Sequence, residues 1–170
     1  ESHMPLAIEA LEAGKHVICE KPVTMSSEEL LKIMEVAKRT GKVFTVDQNR
    51  RFNRDFINVW RTIDSGIIGK PYVIESRVEG SRGMPEGWRT TKAVGGGMMY
   101  DWGVHLIDQM LQMVKANVTS VYSEYSYIYG EEVEDGFSLT VNFDNGVKYR
   151  IIVVTDCFRN LPRWQVYGTK

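Results

Sequence analysis

The sequence predicts an α/β protein of the α+β kind: an open, mainly antiparallel sheet with helices on one face, preceded by a short parallel α/β segment. Up to residue 47, helix-like and strand-like segments alternate with short connections, which is typical of parallel α/β architecture. Beyond residue 48, strand-like segments dominate, and Asp144-Asn145-Gly146 is a strong hairpin-turn signal. We therefore predict two domains, at residues 1–47 and 48–170.

Four elements are predicted in the first domain. Apolar residues at helical spacing predict a helix over 5–13, and Gly14 is a typical stop. A short apolar run predicts a strand over 16–19. A second helix follows capping candidates in 24–27 and ends before Gly41, with Glu28 and Glu29 in its first turn, where the helix dipole favours acids. Another apolar run predicts a strand over 43–46.

The second domain is predicted to be rich in strands. Apolar spacing predicts helices over 54–63 and 97–114. The predicted strands are 72–78, 118–129, 137–143, 147–154 and 164–167.

Composition excludes several classes of protein. The 170 residues are 43% hydrophobic and 25% charged with a net charge of -1, the profile of an ordinary soluble globular protein. Lys and Arg are scattered, so we expect no nucleic-acid partner and no anionic membrane surface. No apolar run approaches the roughly 20 residues needed to span a bilayer. Cys19 and Cys157 are far apart and lack metal-site spacing, which favours the reducing cytoplasm.

The stretch GGGMMYDWGVHLID, residues 95–108, is the first candidate site. In the predicted helix, Asp101, His105 and Asp108 form a polar stripe beside an apolar face. Asp101 is placed to hold His105 in one tautomer and orientation, which suits a general base. An ordinary local hydrogen bond between Asp101 and His105 is an open alternative. A metal site built from the three residues is another, although no cluster of further His or Cys ligands supports it, and we predict no metal.

The glycines of this stretch indicate close approach. The run of three glycines at 95–97 permits a sharp entry to the helix and lets a bound group reach the free N–H groups there. Gly103 inside a helix costs on the order of 1 kcal/mol relative to Ala. We therefore expect another backbone, a substrate or a cofactor to pass close to Gly103.

Glu20-Lys21-Pro22 is the second candidate site. It directly follows a predicted parallel strand, and ligands bind at the carboxyl ends of such strands. A desolvated lysine there is able to act as an acid or base. A plain surface lysine after a strand is the alternative. Pro22 is a candidate for a cis peptide bond.

Read together, these motifs resemble the Gfo/Idh/MocA family of NAD(P)-dependent oxidoreductases. The matching segments cover nearly all of the chain: H-x-x-x-A at 3–7, ALEAGKHVICEKP at 10–22, QNRRF at 48–52, IDSGIIGKP at 63–71, WR at 88–89, GGGMMYDWGVHLID at 95–108, FDNGV at 143–147 and the terminal VYGTK.

The resemblance implies an NAD(P)-dependent dehydrogenase acting on a sugar, polyol or related hydroxyl or ketone. It implies that residues 1–47 are the end of a dinucleotide-binding Rossmann domain and that 48–170 are a substrate and oligomerisation domain. It assigns catalysis to Lys21, Asp101 and His105, which would share one cavity. Histidine would take the hydroxyl proton, lysine would hydrogen-bond the reacting oxygen, and aspartate would help to position the substrate and the histidine. The implied cofactor contacts are Glu20, Lys21, Pro22, Trp88 and Arg89.

The chain also departs from the family pattern. It has no G-x-G-x-x-G motif and no acidic residue placed to hold the adenosine ribose. We therefore expect an internal fragment that retains NAD or NADP poorly and is inactive. The edge of its remnant parallel pair should be covered by a second copy or be mobile. A homo-oligomer through the second-domain sheet is expected, and a non-catalytic oligomerisation or interaction module is the alternative function.

Overall fold

The computed structural model describes residues 2–159 and 161–170. The chain divides into two compact units that meet in sequence between Gln48 and Asn49. The first unit contains α1 (His3–Glu12), β1 (Val17–Cys19), α2 (Ser27–Thr40) and β2 (Phe44–Val46). The second contains α3 (Arg54–Asp64), β3 (Pro71–Glu79), α4 (Val104–Met113), β4 (Val118–Ser126), β5 (Gly136–Phe143), β6 (Lys148–Val154) and β7 (Trp164–Gly168).

The first unit is built around a parallel strand pair. β1 and β2 run parallel, as the alternating pattern predicts, and Val17 lies opposite Phe44. The two helices pack against each other through a small apolar core formed by Ala7, Leu11, Ile33 and Val36. Because Leu11 and Ile33 are fully buried, α1 has a fixed place beside α2.

Local signals define both ends of α2. The Ser26 side chain accepts the backbone N–H of Glu29 at the start, while the Glu29 carboxylate accepts the N–H of Met25 at 2.9 Å. These two bonds are a variant of the capping box. At the other end Gly41 takes a left-handed conformation with φ 66°, which an L side chain rarely adopts. Both ends of the predicted helix are thus confirmed.

The second unit contains a five-stranded sheet in the order β4-β5-β6-β3-β7. Every neighbouring pair is antiparallel except β3 and β6, so the sheet is mainly antiparallel, as predicted. The predicted hairpin at Asp144-Asn145-Gly146 connects β5 to β6, and the Gly146 N–H donates to the Phe143 carbonyl.

One face of this sheet forms the core with α4. Alternate residues of β5 and β6, among them Val141 and Tyr149, are buried and pack with Leu106 and Met110 of the helix. Burial raises the pKa of the Tyr149 hydroxyl well above its ordinary value.

The opposite face carries a polar row across all five strands. The strand registers align Tyr122, Thr140, Arg150, Glu75 and Gln165. The Glu75 carboxylate accepts hydrogen bonds from Arg77 and from Arg150, the latter at 2.8 Å. Burial alone would raise the pKa of Glu75, but the two guanidinium groups outweigh it and hold the pKa below its usual range.

Two predicted boundaries are wrong. The helix predicted over 97–114 is α-helical only over Val104–Met113, and Met99–Gly103 before it is a π-helix. The strand predicted over 118–129 ends at Ser126. In the connection that follows, the backbone N–H of Tyr129 donates to the Asp135 carboxylate.

Within the described residues, no helix is long and apolar enough to cross a membrane.

Replacing Glu75 with Gln tests the polar row. We expect the unfolding free energy to fall by about 1.5–3 kcal/mol near neutral pH, because two charge-assisted hydrogen bonds lose their ionic partner. A carboxyl group with a depressed folded pKa stabilises the fold above its unfolded pKa of about 4.3 and loses that contribution as the pH falls through the folded value. The difference between wild type and Glu75→Gln should therefore shrink in acid, measured by urea unfolding across pH.

Glu124→Gln is the matched control, since Glu124 is an exposed carboxylate whose hydrogen-bond donors are the hydroxyl groups of Ser138 and Tyr122 rather than guanidinium groups. An equal loss in both variants, or a Glu75 effect independent of pH, would contradict the assignment.

Candidate active site

The turn after β1 contains the first group of predicted site residues. Glu20, Lys21 and Pro22 follow the carboxyl end of the strand, and the Lys21–Pro22 peptide bond is cis, as the sequence suggested. The Cys19 carbonyl accepts the N–H of Asp47 at 2.8 Å, so the ends of β1 and β2 lie side by side. Lys21 therefore stands at the carboxyl edge of a parallel pair, where α/β proteins bind ligands.

The second unit contains the remaining predicted residues, around the run of glycines. Gly96 and Gly97 donate their N–H groups to the carbonyls of Thr91 and Arg89, at 3.0 and 2.8 Å. A Cβ on Gly96 would lie 2.5 Å from the Arg89 carbonyl oxygen. The glycines thus allow the segment at Arg89 to Thr91 to lie directly against the helix entry.

The helix entry is occupied by the protein's own groups, which corrects one expectation. The Glu134 carboxylate accepts the N–H of Met99 at 2.9 Å, and the Glu134 carbonyl accepts that of Met98. These N–H groups, which we expected a ligand to approach, are therefore satisfied internally.

Gly103 has a different neighbour from the one expected. A Cβ there would lie 2.6 Å from the sulfur of Met99 and 3.2 Å from the ring of Phe137. The space is thus taken by core side chains rather than by a backbone, substrate or cofactor. Close packing at this glycine holds the π-helix against β5.

Asp101 lies in the π-helix and is paired with Arg89. The Arg89 Nε donates to the Asp101 carboxylate at 2.7 Å, and the Asp101 side chain is only 9% exposed. The Arg89 guanidinium also lies over the ring of Trp88, 4.7 Å from its centroid. The structure thus brings together three predicted site residues that are up to 13 positions apart in the sequence.

His105 lies in the first turn of α4 and is 4% exposed. The Trp102 ring meets the imidazole edge-on, with 6.2 Å between centroids. The Arg50 guanidinium covers Trp102 at 4.8 Å from its centroid. Packing around the imidazole thus restricts its rotation.

Three arginines near this helix were not predicted as site residues. Arg51 makes a two-point ion pair with Asp108, and this hydrogen bonding raises the pKa of Arg51. Gln109, fully buried, donates to the Arg50 carbonyl at 2.8 Å and accepts from Arg163. The QNRRF motif was the available signal for Arg50 and Arg51. Nothing local marks Arg163.

A cavity of about 250 Å³ opens beside Trp102 and is lined also by Arg77 and Arg163. Burial lowers the pKa of Arg163 below its ordinary value. The second unit therefore offers a concave surface beside Trp102 that is lined by two arginines and by Glu79.

The metal alternative finds no support among the residues that the structure describes. They contain no group of three His, Cys, Asp or Glu side chains arranged to hold an ion. Asp108, one of the three suggested ligands, is occupied by Arg51.

The fold and site define a class of α/β protein. A unit with two parallel strands is followed by a mainly antiparallel sheet, and the helical segment packed on that sheet carries a buried Asp and a buried His. Comparison with known proteins gives the family. Residues 56–170 match the GFO/IDH/MocA C-terminal domain, and residues 1–48 match the oxidoreductase family with an NAD-binding Rossmann fold. The chain belongs to the GFO/IDH/MocA family.

Relatives with known names are similar over most of this chain. It is 31% identical over 163 residues to D-glucoside 3-dehydrogenase of Escherichia coli, covering 85% of this chain and 46% of that protein. It is 30% identical to scyllo-inositol 2-dehydrogenase (NADP(+)) of Bacillus subtilis, covering 98% and 46%. A crystal structure of an NAD-binding protein from Listeria innocua has a TM-score of 0.97 at 54% identity, covering 99% and 50%. The chain thus spans about half the length of these relatives.

Replacing Gly96 with Ala tests how the glycines place Arg89. The new methyl group would overlap the Arg89 carbonyl oxygen, so we expect a loss of about 1–3 kcal/mol in unfolding free energy. In a crystal structure of the variant, Arg89 should move away from Asp101.

Gly80→Ala is the control, because a Cβ at Gly80 meets nothing within 4 Å. The interpretation fails if both variants are equally stable, or if Gly96→Ala keeps the Arg89–Asp101 distance unchanged.

Proposed function

We propose that this chain supplies site residues of an NAD(P)-dependent oxidoreductase that transfers hydride between nicotinamide and a CH–OH carbon. Membership of the family and the names of the relatives support this class of reaction. The observation that carries the proposal is the pair of buried side chains at the junction of the π-helix and α4. Asp101 is ion-paired with Arg89, and His105 follows Asp101 by four residues.

His105 is the general base of the proposed reaction. Its imidazole accepts the proton of the substrate hydroxyl as the C–H bond of the same carbon gives up its electron pair, so that the alcohol becomes a carbonyl. The nicotinamide, when bound, supplies the acceptor for that hydride. The imidazole releases the proton to solvent after each turnover, and the reverse reaction uses the same groups.

Lys21 and Asp101 have supporting roles. The Lys21 ammonium donates a hydrogen bond to the reacting oxygen and stabilises negative charge that develops there. Asp101 helps to position the substrate and His105. Arg89 keeps the Asp101 carboxylate in place, because an ion pair with little exposure restricts both side chains.

The proposed cofactor contacts are Glu20, Lys21, Pro22, Trp88 and Arg89. Lys21 and its neighbours fit the nicotinamide end, since they stand at the carboxyl edge of parallel strands. The sequence contains no G-x-G-x-x-G for the pyrophosphate. We therefore infer that residues 1–47 are the end of a Rossmann domain and that these 170 residues alone bind NAD or NADP weakly and are inactive.

The proposed substrate is a sugar, a polyol or a related hydroxy or keto compound. The names of the relatives include a glucoside and inositols, which supports this class of small molecule. One relative's name gives NADP and the matching family model gives NAD, so both cofactors stay open. Both cysteines are free, which agrees with the proposed cytoplasmic location.

A further proposal is a homo-oligomer through the second-domain sheet, residues 48–170 being the substrate and oligomerisation domain. The polar row lies on the sheet face opposite the core, and Tyr122 in it is 63% exposed. Exposed aromatic side chains are common in interfaces. The same surface supports the alternative function, a non-catalytic interaction module.

Replacing His105 with Ala tests the enzyme against this alternative. In a full-length protein containing these residues, assayed with a panel of sugars and inositols and both cofactors, kcat should fall roughly 10²–10⁴-fold, because the general base is lost. Lys21→Ala should also lower kcat.

His16→Ala is the matched control, since His16 is exposed on the first unit and has no proposed catalytic role. Undiminished turnover in His105→Ala removes His105 from the mechanism. A wild type that turns over nothing in the panel favours the interaction module. The 170-residue chain itself should show no turnover.

Replacing Tyr122 with Glu tests the oligomer. The new carboxylate adds a charge next to Glu124 on the proposed interface, so the molecular mass measured by light scattering should fall to that of a monomer. Ile67→Glu, which changes another exposed apolar residue outside the sheet, should keep the wild-type mass. A monomeric wild type, or no change in Tyr122→Glu, contradicts the proposal.

A further inference from the structure

We propose that His3 is a positioning residue that fixes the Lys21–Pro22 turn through a hydrogen bond to the Pro22 carbonyl. The inference rests on the proposed function, because it gives His3 a part in placing Lys21 for that reaction. His3 itself contacts no reacting atom in this assignment.

The geometry of the bond assigns its direction. The His3 Nδ1 lies 2.7 Å from the Pro22 carbonyl oxygen. The two residues are 19 positions apart in the sequence, and the contact is partly buried. A carbonyl oxygen only accepts hydrogen bonds, so Nδ1 must carry the proton and donate. The structure thus assigns the Nδ1–H form to His3.

The bond ties the turn to a rigid element. His3 is the first residue of α1, which is held against α2 by the fully buried side chain of Leu11. Pro22 has no N–H of its own, so its carbonyl is its only backbone hydrogen-bonding group.

The other end of the turn is tied as well. The Cys19 carbonyl accepts the N–H of Asp47, which joins it to the end of β2. Glu20 and Lys21 stand between these two attachments. Because a turn held at both ends has few backbone conformations open to it, loss of the His3 bond should loosen the segment that carries the ammonium group.

His16 offers a control within the same unit. Its Nδ1 accepts the backbone N–H of Val43 at 2.9 Å. A neutral His16 must therefore carry its proton on Nε2, the opposite tautomer to that assigned to His3. The two rings thus give opposite spectroscopic expectations.

Nitrogen NMR of the ring atoms tests the assignment directly. At about pH 8, above the ordinary titration range of histidine, Nδ1 of His3 should show the shift of a protonated nitrogen and Nδ1 of His16 that of an unprotonated one. The opposite result for His3 overturns the proposal.

Hydrogen exchange tests the effect on the turn in the full-length protein. His3→Phe keeps a planar ring without a donor, and exchange in a peptide covering 20–25 should be faster by roughly three- to tenfold. His3→Asn can place an amide N–H near the position of Nδ1 and should restore protection. His16→Phe should leave this peptide unchanged.

Activity provides the functional readout. His3→Phe should lower kcat several-fold with little change in thermal midpoint, and His3→Asn should recover most of it. If Lys21→Ala is inactive while His3→Phe turns over like wild type, the positioning role is wrong and the proposed function stands. If Lys21→Ala is fully active, the proposed role of Lys21 fails, and the positioning role fails with it. Faster exchange spread evenly over α1 in His3→Phe would show general loosening and would also overturn the proposal.

Discussion

The ion pair between Arg89 and Asp101 is the interaction on which the second-unit site depends. A carboxylate with so little exposure requires a compensating charge, since burying it alone costs several kcal/mol or forces it to take up a proton. Arg89 reaches it from the segment before the glycines, which lies against the helix entry, and Gly96 permits that approach. The backbone before the glycines, the ion pair and the helix entry therefore support one another. His105 lies four residues after Asp101 in the same helical segment.

Much of the fold was predictable because its signals are local. The capping residues and Gly41 define α2, and the Asp-Asn-Gly turn connects β5 to β6, each within a few residues. The π-helix was not predictable in this way. Its contacts are distant in sequence: the Glu134 carboxylate accepts the N–H of Met99 from 35 positions away, and Phe137 packs at Gly103. Helical spacing alone carries no information about such distant partners.

In the candidate site, too, some features follow from local sequence signals and others from contacts between distant residues. Asp101 and His105 were identifiable because a carboxylate and an imidazole interrupt an apolar pattern. Their surroundings were not, because Arg89 is 12 residues away from Asp101, and Arg163 is 54 away from Gln109. The glycines were identified correctly as points of close approach, but the approaching groups belong to the protein itself. The sequence pattern indicated the proposed functional groups, and long-range contacts determine how these side chains are held.

The two units hold their functional groups by the same physical means. Lys21 follows β1, whose last carbonyl accepts a hydrogen bond from the residue after β2. The Pro22 carbonyl is hydrogen-bonded to His3 of α1, and the Asp101 carboxylate is hydrogen-bonded to Arg89. In each case the group proposed for chemistry sits on short irregular backbone, a turn or a π-helix, which would be poorly ordered by its own residues. The position of each group is fixed instead by a hydrogen-bond partner on a neighbouring segment, and no chemical step is assigned to that partner. If the proposed function holds, residues such as His3 and Gly96 affect activity without a proposed contact to the substrate, because they fix the positions of the groups assigned to the chemistry.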